Sequence, residues 1–413
     1  MEGDFIKINK KLLPLSWLYG VGVGFRNLLF EMGVLKSRSF SVPVISVGNI
    51  TVGGTGKTPH VEYLVRLLKD LTKVAVLSRG YKRKTRGFVL AGNDATASTI
   101  GDEPYQMKTK FPDITVAVDK KRTRGIEKLT NGEHVKDINV VLLDDAFQHR
   151  YVKPGISILL VDYHRLIIYD KLLPAGRLRE PVKSKDRADI VIVTKCPKDL
   201  KPMEFRVITK AMKLYPYQQL YFSTHEFGAL RAVFPKERPE DPEIPDIPDV
   251  PEVPEKPENP EHMNLSSLAD KHVLLLTGIA SPEHMLTELQ GYVKEITPLA
   301  FGDHHDFKKK DVERINEAFS ALPSPKIIVT TEKDETRLLE VEGLSDEVKG
   351  ALYVLPIKIR ILLDQEEAFN QNIISYVRKH SKHSIVAKKP DDNKPKDSNH
   401  PGDRPRTISF RNN

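Results

Sequence analysis

The chain has 413 residues, of which 39% are hydrophobic and 29% are charged, as in a soluble protein. That length exceeds one ordinary core, so two domains are expected. The formal charge of +8 and the pI near 9.1 favour an anionic partner, which could be nucleic acid, phospholipid or a phosphorylated substrate. Cys196 is the single cysteine, which excludes an intramolecular disulfide and a cysteine-based metal site and favours a reducing, cytosol-facing location.

Residues 1–40 contain an apolar run, residues 12–25 (LLPLSWLYGVGVGF), that follows three lysines. A membrane span needs about 20 apolar residues, whereas this run is interrupted by Pro14 and three glycines and is followed by Arg26. No small-x-small cleavage site follows it, which argues against a signal peptide. The pattern predicts a helical region and leaves two interpretations: an interfacial helix with its apolar face in the acyl boundary, or a helix packed on the protein's own core.

Residues 41–234 alternate short β-branched runs with helical stretches. This pattern predicts a doubly wound, mostly parallel α/β domain. The predicted strands are residues 44–47, 74–77, 115–118, 140–143, 158–161 and 190–193, and predicted helices include residues 60–69 and 122–129. Ligands of such a sheet bind at the carboxyl ends of its strands.

The remaining chain is divided by composition. Residues 235–262 repeat proline and acidic residues, which predicts an extended, solvated insert. Residues 263–380 predict a smaller C-terminal α/β domain, with strands at 273–276, 326–329 and 352–357 and helices at 282–289 and 310–321. Residues 381–413 are rich in Lys, Asp, Pro and Asn, which predicts a disordered tail.

The strongest motif is a glycine-rich loop that follows the first predicted strand and opens a helix, VISVGNITVGGTGKT. Backbone amides of such a loop, together with the helix N-terminus, bind phosphate oxygens. Lys57 is expected to neutralise the β- and γ-phosphates of a nucleotide and Thr58 to ligate Mg²⁺. The predicted nucleotide-binding residues are Thr51, Val52, Gly53, Gly54, Thr55, Gly56, Lys57 and Thr58, with Thr51 in the place of the usual first glycine.

Acidic residues follow other predicted elements. A hydrophobic strand ends in Asp144 and Asp145, which is the arrangement that holds Mg²⁺ in P-loop enzymes, although paired acids at a strand end are also a common solvated cap. His149 continues the same loop and could belong to the site or to the scaffold. Asp102 and Glu103 open a predicted helix in a Gly-Asp-Glu-Pro turn, where acids act as caps or as a base.

Two further clusters are polar. The segment LLPAGRLREP places Arg177 and Arg179 in a loop bounded by proline and glycine. The segment FGDHHDF places His304 and His305 between acids, for which zinc is the alternative interpretation, but no fourth ligand pattern accompanies them.

Six phrases occur in one order along the chain: NITVGGTGKTP, SRGYKRKTRG, GDEP, LLDDAFQHR, LLPAGRLREP and FGDHHDF. Together they resemble the tetraacyldisaccharide 4'-kinases, the lipid A 4'-kinase family of Gram-negative bacteria, over residues 12–377. The resemblance implies a kinase that uses ATP and Mg²⁺ to phosphorylate the 4'-hydroxyl of a tetraacyldisaccharide 1-phosphate. It also implies an N-terminal membrane-contact helix and a peripheral position on the anionic cytoplasmic face of the inner membrane, with no nucleic acid partner.

The resemblance also implies roles for individual residues. Asp102 would be the catalytic base and would pair with His304. The residues implied to position the metal and the phosphates are Glu103, Asp144 and Asp145. Those implied to bind substrate or phosphate are Arg122, His149, and one of Arg177 and Arg179. Ala146 departs from the family pattern, which has glycine at this position of the loop.

Two other functions fit a P-loop on a basic chain. One is an ATPase that cycles on and off membranes, although the additional early lysine of such loops is replaced here by Val52. The other is a non-catalytic nucleotide-binding scaffold. A phosphorylation assay on the lipid separates both from the kinase.

Overall fold

The computed structural model describes residues 6–235, 262–279, 282–303 and 305–381. Two β-sheets with their covering helices make up this part of the chain. The strands are β1 Val44–Gly48, β2 Val74–Ser78, β3 Val89–Leu90, β4 Thr115–Val118, β5 Val140–Asp144, β6 Ile156–Asp162, β7 Ile190–Thr194, β8 Gln219–Phe227, β9 Leu230–Ala232, β10 His262–Met263, β11 His272–Thr277, β12 Glu295–Ala300, β13 Lys326–Thr331, β14 Leu352–Leu355 and β15 Ile357–Ile361. The helices are α1 Leu13–Glu31, α2 Lys57–Leu68, α3 Ala97–Ile100, α4 Asp102–Lys110, α5 Arg122–Thr130, α6 Pro202–Met212, α7 Glu283–Gln290, α8 Lys309–Ser320, α9 Glu332–Leu338, α10 Asp346–Ala351 and α11 Glu366–His380.

The larger sheet has nine strands in the order β15-β8-β7-β6-β1-β5-β2-β4-β3. The strands from β8 to β4 in this order are parallel to their neighbours, and the two edge strands β3 and β15 are antiparallel. Every residue of β1, β2, β5 and β7 is buried, because helices α2, α4 and α11 cover one face and α5 and α6 the other. The predicted doubly wound α/β fold is confirmed.

The smaller sheet has six strands in the order β10-β9-β14-β13-β11-β12. Its four strands β14, β13, β11 and β12 are parallel, and β9 and β10 add an antiparallel edge. Val312, Ile315 and Phe319 of α8 pack on Ile328 and Val354 in the core of this sheet.

The chain crosses between the two sheets, and the predicted domain limits do not include these crossings. Strand β9 lies in the smaller sheet, although it precedes residue 234, and β15 and α11 belong to the larger sheet. The predicted single strand 352–357 is two strands in different sheets, separated at Pro356. Hydrophobic patterning identifies a buried strand but carries no information about which sheet accepts it. The predictions for residues 236–261 and 382–413 lie outside the described residues.

Helix α1 is fixed to the larger unit along one side. Ser16 Oγ donates a hydrogen bond to Leu172 O at 2.9 Å, and Tyr19 Oη donates one to Arg179 O at 2.9 Å. The opposite side is apolar and exposed, with Trp17 at 72% and Phe25 at 61% exposure. Within the described ranges, no helix has the length and hydropathy of a membrane span.

Candidate active site

A cavity of about 470 Å³ lies where the carboxyl ends of the larger sheet face the smaller sheet. The loops after β1, β2, β5 and β7 and the N-terminus of α4 supply one wall, and β13 and α9 supply the other. The charged and hydroxyl side chains that line the cavity include Lys57, Thr58, Arg79, Glu103, Asp145, Arg179, Lys195, Asp303 and Lys333. The predicted nucleotide loop, residues 51–58, lines the cavity along its whole length.

The backbone of the nucleotide loop depends on glycine at two positions. Gly53 has φ +114° and Gly56 has φ +79°, values that residues with a Cβ rarely adopt. Thr194 Oγ1 donates to Thr55 O at 3.1 Å, and Lys195 Nζ donates to Gly54 O at 2.5 Å. These contacts fix the loop from behind, so its amides are held in place before a ligand arrives.

His60 on α2 supports the end of the loop. Its Nδ1 lies 2.7 Å from Gly56 O and its Nε2 lies 2.9 Å from Ser223 Oγ. Burial lowers the pKa of His60 to about 4, so the ring is neutral at pH 7. Because a carbonyl only accepts, Nδ1 carries the proton and Nε2 accepts from the serine hydroxyl.

The two acids at the end of β5 have different surroundings. Burial raises the pKa of Asp145, but Lys57 and Arg179 outweigh this effect and lower it; their nitrogens lie 3.8 Å and 3.2 Å from its Oδ1. The pKa of Asp144 is raised to about 7, by burial first and then by the charges of Glu103 and Asp145. Its Oδ1 is buried with no hydrogen-bond partner among the described residues. A cation is the natural partner for such an oxygen.

Arg122 is a buried residue beneath the site and is not part of the cavity lining. Its Nη2 donates to Asp144 O at 3.1 Å and its Nη1 to Asp119 O at 3.0 Å. Burial lowers its pKa to about 10, so the guanidinium stays charged at neutral pH. The structure therefore gives Arg122 contacts that fix the end of β5.

The two arginines of the GRLRE phrase point to different places. Arg179 lines the cavity and its Nη2 contacts both Asn49 Oδ1 and Asp145 Oδ1. Arg177 is exposed, while its carbonyl accepts a hydrogen bond from Val52 N at 2.8 Å. Arg179 is thus the arginine of this pair that lines the cavity, while the guanidinium of Arg177 lies close to Gly53 of the nucleotide loop.

The acids of the Gly-Asp-Glu-Pro turn are also separated. Glu103 lines the cavity, 4.0 Å from Lys333 Nζ. The carboxylate of Asp102 accepts from Arg337 of α9, with Nη2 at 2.6 Å and Nε at 2.9 Å. Arg337 also pairs with Asp334 at 3.1 Å. The predicted base is therefore linked to the smaller sheet by an ion pair.

The histidine cluster is partly described. Asp303 lines the cavity and pairs with Lys333 Nζ at 3.0 Å, whereas His305 pairs with Asp311 at 2.9 Å. His304 lies outside the described residues, so its pairing with Asp102 stays a prediction. Among the residues that are described, no three His, Cys, Asp or Glu side chains converge on a metal position, and Glu103, Asp144 and Asp145 form no cage of their own.

His149 is not among the residues that line the cavity. Its Nε2 is buried without a hydrogen-bond partner among the described residues, and its ring contacts Tyr151 at 5.7 Å between centroids. Burial, and then the charges of Arg122, Arg26 and Arg79, lower its pKa to about 4. The imidazole is neutral in a positively charged environment.

The residues present fit a magnesium nucleotide. The backbone amides of residues 51–58 and the ammonium of Lys57 can bind phosphates. The buried Oδ1 of Asp144 has no hydrogen-bond partner among the described residues and can bind a cation. Mg²⁺ bound with a nucleotide needs only one or two carboxylates because phosphates and water complete its ligands, so the lack of a three-acid cage is compatible with it.

Some site residues have no motif in the sequence. Lys195 lies two residues after the predicted strand 190–193, so its position near a carboxyl end was a usable signal. Arg337 lies 235 residues from Asp102 in the chain, and neither spacing nor composition indicates that pair. The contact of His60 with the nucleotide loop was not predictable, because the sequence does not distinguish a histidine that supports the loop from any other histidine of the helix.

Comparison with known proteins gives the family. The family model for tetraacyldisaccharide-1-P 4'-kinase matches residues 8–378. Curated relatives named tetraacyldisaccharide 4'-kinase include those of Phocaeicola vulgatus, at 55% identity over 93% of this chain and 99% of that protein, and of Bacteroides thetaiotaomicron, at 54% identity over 94% and 98%.

A solved structure agrees with this result. The crystal structure of LpxK from Aquifex aeolicus in complex with ATP has 29% identity to this chain and a TM-score of 0.63, and it covers 89% of this chain and 98% of that one. The resemblance expected from the six phrases is confirmed. The chain is a member of the tetraacyldisaccharide-1-P 4'-kinase family.

Proposed function

We propose that this protein transfers the γ-phosphate of ATP to the 4'-hydroxyl of a tetraacyldisaccharide 1-phosphate. The observation that carries the proposal is the cavity, in which the phosphate-binding loop faces Glu103, Asp145 and Arg179 within a chain of this family. Phosphoryl transfer needs mainly positioning and neutralisation of charge, and the cavity walls supply both.

The nucleotide end of the site is built from the larger sheet. The amides of residues 51–58 would bind phosphate oxygens, and Lys57 would balance their charge. Thr58, Asp144 and Asp145 would hold Mg²⁺, which supplies charge neutralisation at the phosphates. Arg179 stays paired with Asp145 and keeps that carboxylate aimed at the loop.

The acceptor end needs a base. The acceptor oxygen forms its bond to the γ-phosphorus as the bond to ADP breaks, and Asp102 takes the hydroxyl proton. Since Arg337 binds that carboxylate, the pair must loosen for the proton to transfer, and Arg337 keeps Asp334 as its partner. His304 would orient Asp102. Because these groups lie on both units, closure of the two units precedes the transfer.

Helix α1 would hold the protein on the cytoplasmic face of the inner membrane. Its exposed apolar side includes Trp17, Leu18 and Phe25, and lysines precede it at positions 7, 10 and 11. An apolar face with a basic flank binds an anionic interface. The acyl chains of the acceptor would remain near this helix while the sugar enters the cavity.

The competing function is a membrane-cycling ATPase. The two functions differ in what ADP formation requires, since a kinase makes ADP in proportion to phosphorylated lipid. ADP and lipid phosphate should be measured together, with and without the acceptor. We expect equal amounts of both with acceptor and little ADP without it. ADP release that is independent of the lipid would favour the ATPase.

A further inference from the structure

The smaller unit supplies a single cation to the described lining of the cavity. Its residues in that lining are Ile279, Met285, Asp303, Thr331, Glu332 and Lys333. The larger unit supplies the other cations, which are Lys57, Arg79, Arg179 and Lys195. The position of the Lys333 ammonium relative to the nucleotide loop therefore depends on how the two units meet.

Two carboxylates hold the side chain of Lys333 at the cavity. Its Nζ lies 3.0 Å from Asp303 Oδ1 of its own unit and 4.0 Å from Glu103 Oε1 of the larger unit. The longer distance is at the limit of an ion pair. The ammonium has three donors at the end of a flexible stem, so it can exchange a carboxylate oxygen for an oxygen of a ligand.

The backbone that carries Lys333 is fixed within the smaller unit. The next residue, Asp334, is fully buried, and its Oδ2 accepts from Gly278 N at 2.8 Å and from Thr331 Oγ1 at 2.7 Å. Its other carboxylate oxygen lies 3.1 Å from Arg337 Nη1. A buried polar network with these contacts is rigid, so Lys333 projects from a fixed first turn of α9.

Two cations of α9 face two acids of α4. Lys333 and Arg337 are four residues apart and so lie on one side of their helix. Arg337 binds the carboxylate of Asp102 at 2.6 Å, and Lys333 faces the adjacent Glu103. Lys333 is therefore close to the proposed base, where the transferred phosphate would meet the acceptor.

Acidic residues connect Lys333 with the nucleotide loop. Lys57 Nζ of the loop lies 3.8 Å from Asp145 Oδ1. Burial and then the charge of Glu103 raise the pKa of the adjacent Asp144, which indicates that Glu103 is close to these two acids. Lys57 and Lys333 therefore flank one group of carboxylates, with one cation from each unit. The terminal phosphate of a nucleotide on the loop is the phosphate that would come between them.

We infer that Lys333 binds the γ-phosphate of ATP when the two units close, and that it neutralises the charge of this phosphate during transfer. The inference rests on the proposed function and adds a residue of the smaller unit to the phosphate-binding groups. As the acceptor oxygen bonds to the γ-phosphorus and the bond to ADP breaks, negative charge spreads over the three other oxygens of the phosphoryl group. A cation aimed at these oxygens stabilises the transition state. ADP lacks the γ-phosphate, so Lys333 would discriminate between ATP and ADP.

The test measures by calorimetry the affinities of the full-length protein for ADP and for the non-hydrolysable β,γ-methylene analogue of ATP, with Mg²⁺. Lys333→Met removes the charge from a side chain of similar length. We expect the natural protein to prefer the triphosphate, and Lys333→Met to reduce that preference by roughly 10- to 100-fold, as for a lost hydrogen bond to a charged group. Lys333→Arg should retain part of the preference. With the lipid acceptor, kcat of Lys333→Met should fall by roughly 10²- to 10³-fold.

Lys110→Met is the matched control, because Lys110 also joins the two units but does not line the cavity. Its Nζ pairs with Glu62 of α2 at 2.6 Å and with Glu332 of α9. This variant should leave the preference for the triphosphate unchanged, which separates phosphate binding from the loss of an ion pair between the units. Equal weakening of both nucleotides in Lys333→Met, or no change in their ratio, would overturn the inference. The titration needs no acceptor, so failure of the natural protein to phosphorylate the lipid would reject the proposed function and is thereby distinguishable.

Discussion

Asp144 is the site residue whose burial most clearly lowers the stability of the folded protein. Its pKa in the folded protein is about 7, against an ordinary value of 3.8, because it is buried beside Glu103 and Asp145. Between these values the folded protein keeps a proton that the unfolded chain has released. Folding therefore binds a proton at Asp144 in this range, and the contribution of this residue to the stability of the protein falls as pH rises from about 4 to about 7.

Asp144→Asn should accordingly stabilise the ligand-free protein. The gain in free energy of unfolding should grow between about pH 4 and pH 7, by at most about 1.4 kcal/mol for each pH unit, and then level off. Urea unfolding of both proteins at several pH values measures it. The same variant should lose kinase activity if Asp144 holds Mg²⁺ as proposed, because an amide cannot replace the negative charge of the carboxylate. A gain that is independent of pH would contradict the account of this carboxylate.

Asp102→Ala should lower kcat by roughly 10²- to 10⁴-fold, the range for a lost general base. The affinity for ATP should change little, because Asp102 is paired with Arg337 of α9 and not with the nucleotide loop. Steady-state kinetics and ATP titration measure the two effects. Near-normal turnover in this variant would remove the base assignment.

The sequence predicted which residues lie at the carboxyl edge of the sheet, but it did not predict the directions of their side chains. The sequence predicted Asp144 and Asp145 at the carboxyl edge of the sheet, where parallel strands bind ligands; β5 ends at Asp144 and Asp145 lines the cavity, and their role as metal ligands stays a prediction. Arg177 and Arg179 are two residues apart and would share one face of an extended segment, so the sequence pattern does not choose between them, and the contacts of the Arg179 side chain with Asn49 and Asp145 are visible only in the structure. The substrate-binding role of Arg122 stays a prediction.

At the scale of single elements, α1 combines both interpretations of the N-terminal pattern. Ser16, Asn27 and Phe30 are buried against the larger unit, and the opposite side leaves large apolar side chains exposed. If α1 only packed on the core of the protein, its apolar side chains would be buried, whereas Trp17 is 72% exposed. The exposed apolar side is the part of α1 that would contact the membrane.

Trp17→Glu should weaken sedimentation with anionic vesicles. A large apolar side chain transferred from water contributes about 2 kcal/mol, so we expect roughly a 10-fold or greater loss of binding. Met203→Glu is the matched control, because Met203 is 68% exposed on α6 and should leave binding unchanged. Equal binding of all three proteins would show that α1 does not contact the membrane.

Pro356 marks an element boundary that patterning did not show. Residues 352–357 have continuous strand character, yet β14 ends at Leu355 and β15 begins at Ile357 in the other sheet. Proline has no N–H for a ladder, so its presence inside the predicted strand was the available signal.

At the scale of the molecule, the crossings join the two sheets around one cavity. Strand β15 returns to the larger sheet, and Arg337–Asp102 and Lys110–Glu332 link the units at the site. The fold class and the nucleotide loop followed from local patterns. The shared cavity did not, because it depends on contacts between residues more than two hundred positions apart.

The proline- and acid-rich insert should be dispensable for activity. It connects β9 and β10, which are antiparallel neighbours with Arg231 opposite His262, so their ends are about 5 Å apart. Replacing residues 236–260 by a short Gly- and Asn-containing turn should leave kcat, KM and the melting temperature unchanged. Lost activity with an unchanged melting temperature would show that the insert has a role.

The most direct test of the whole account is the position of the phosphate on the lipid product. Purified full-length protein is incubated with ATP, Mg²⁺ and tetraacyldisaccharide 1-phosphate, with Lys57→Ala in parallel, and the product is analysed by phosphorus and proton NMR. We predict one new phosphate monoester at the 4'-oxygen with the natural protein and none with Lys57→Ala. No lipid phosphorylation by the natural protein, or a phosphate at another oxygen, would contradict it.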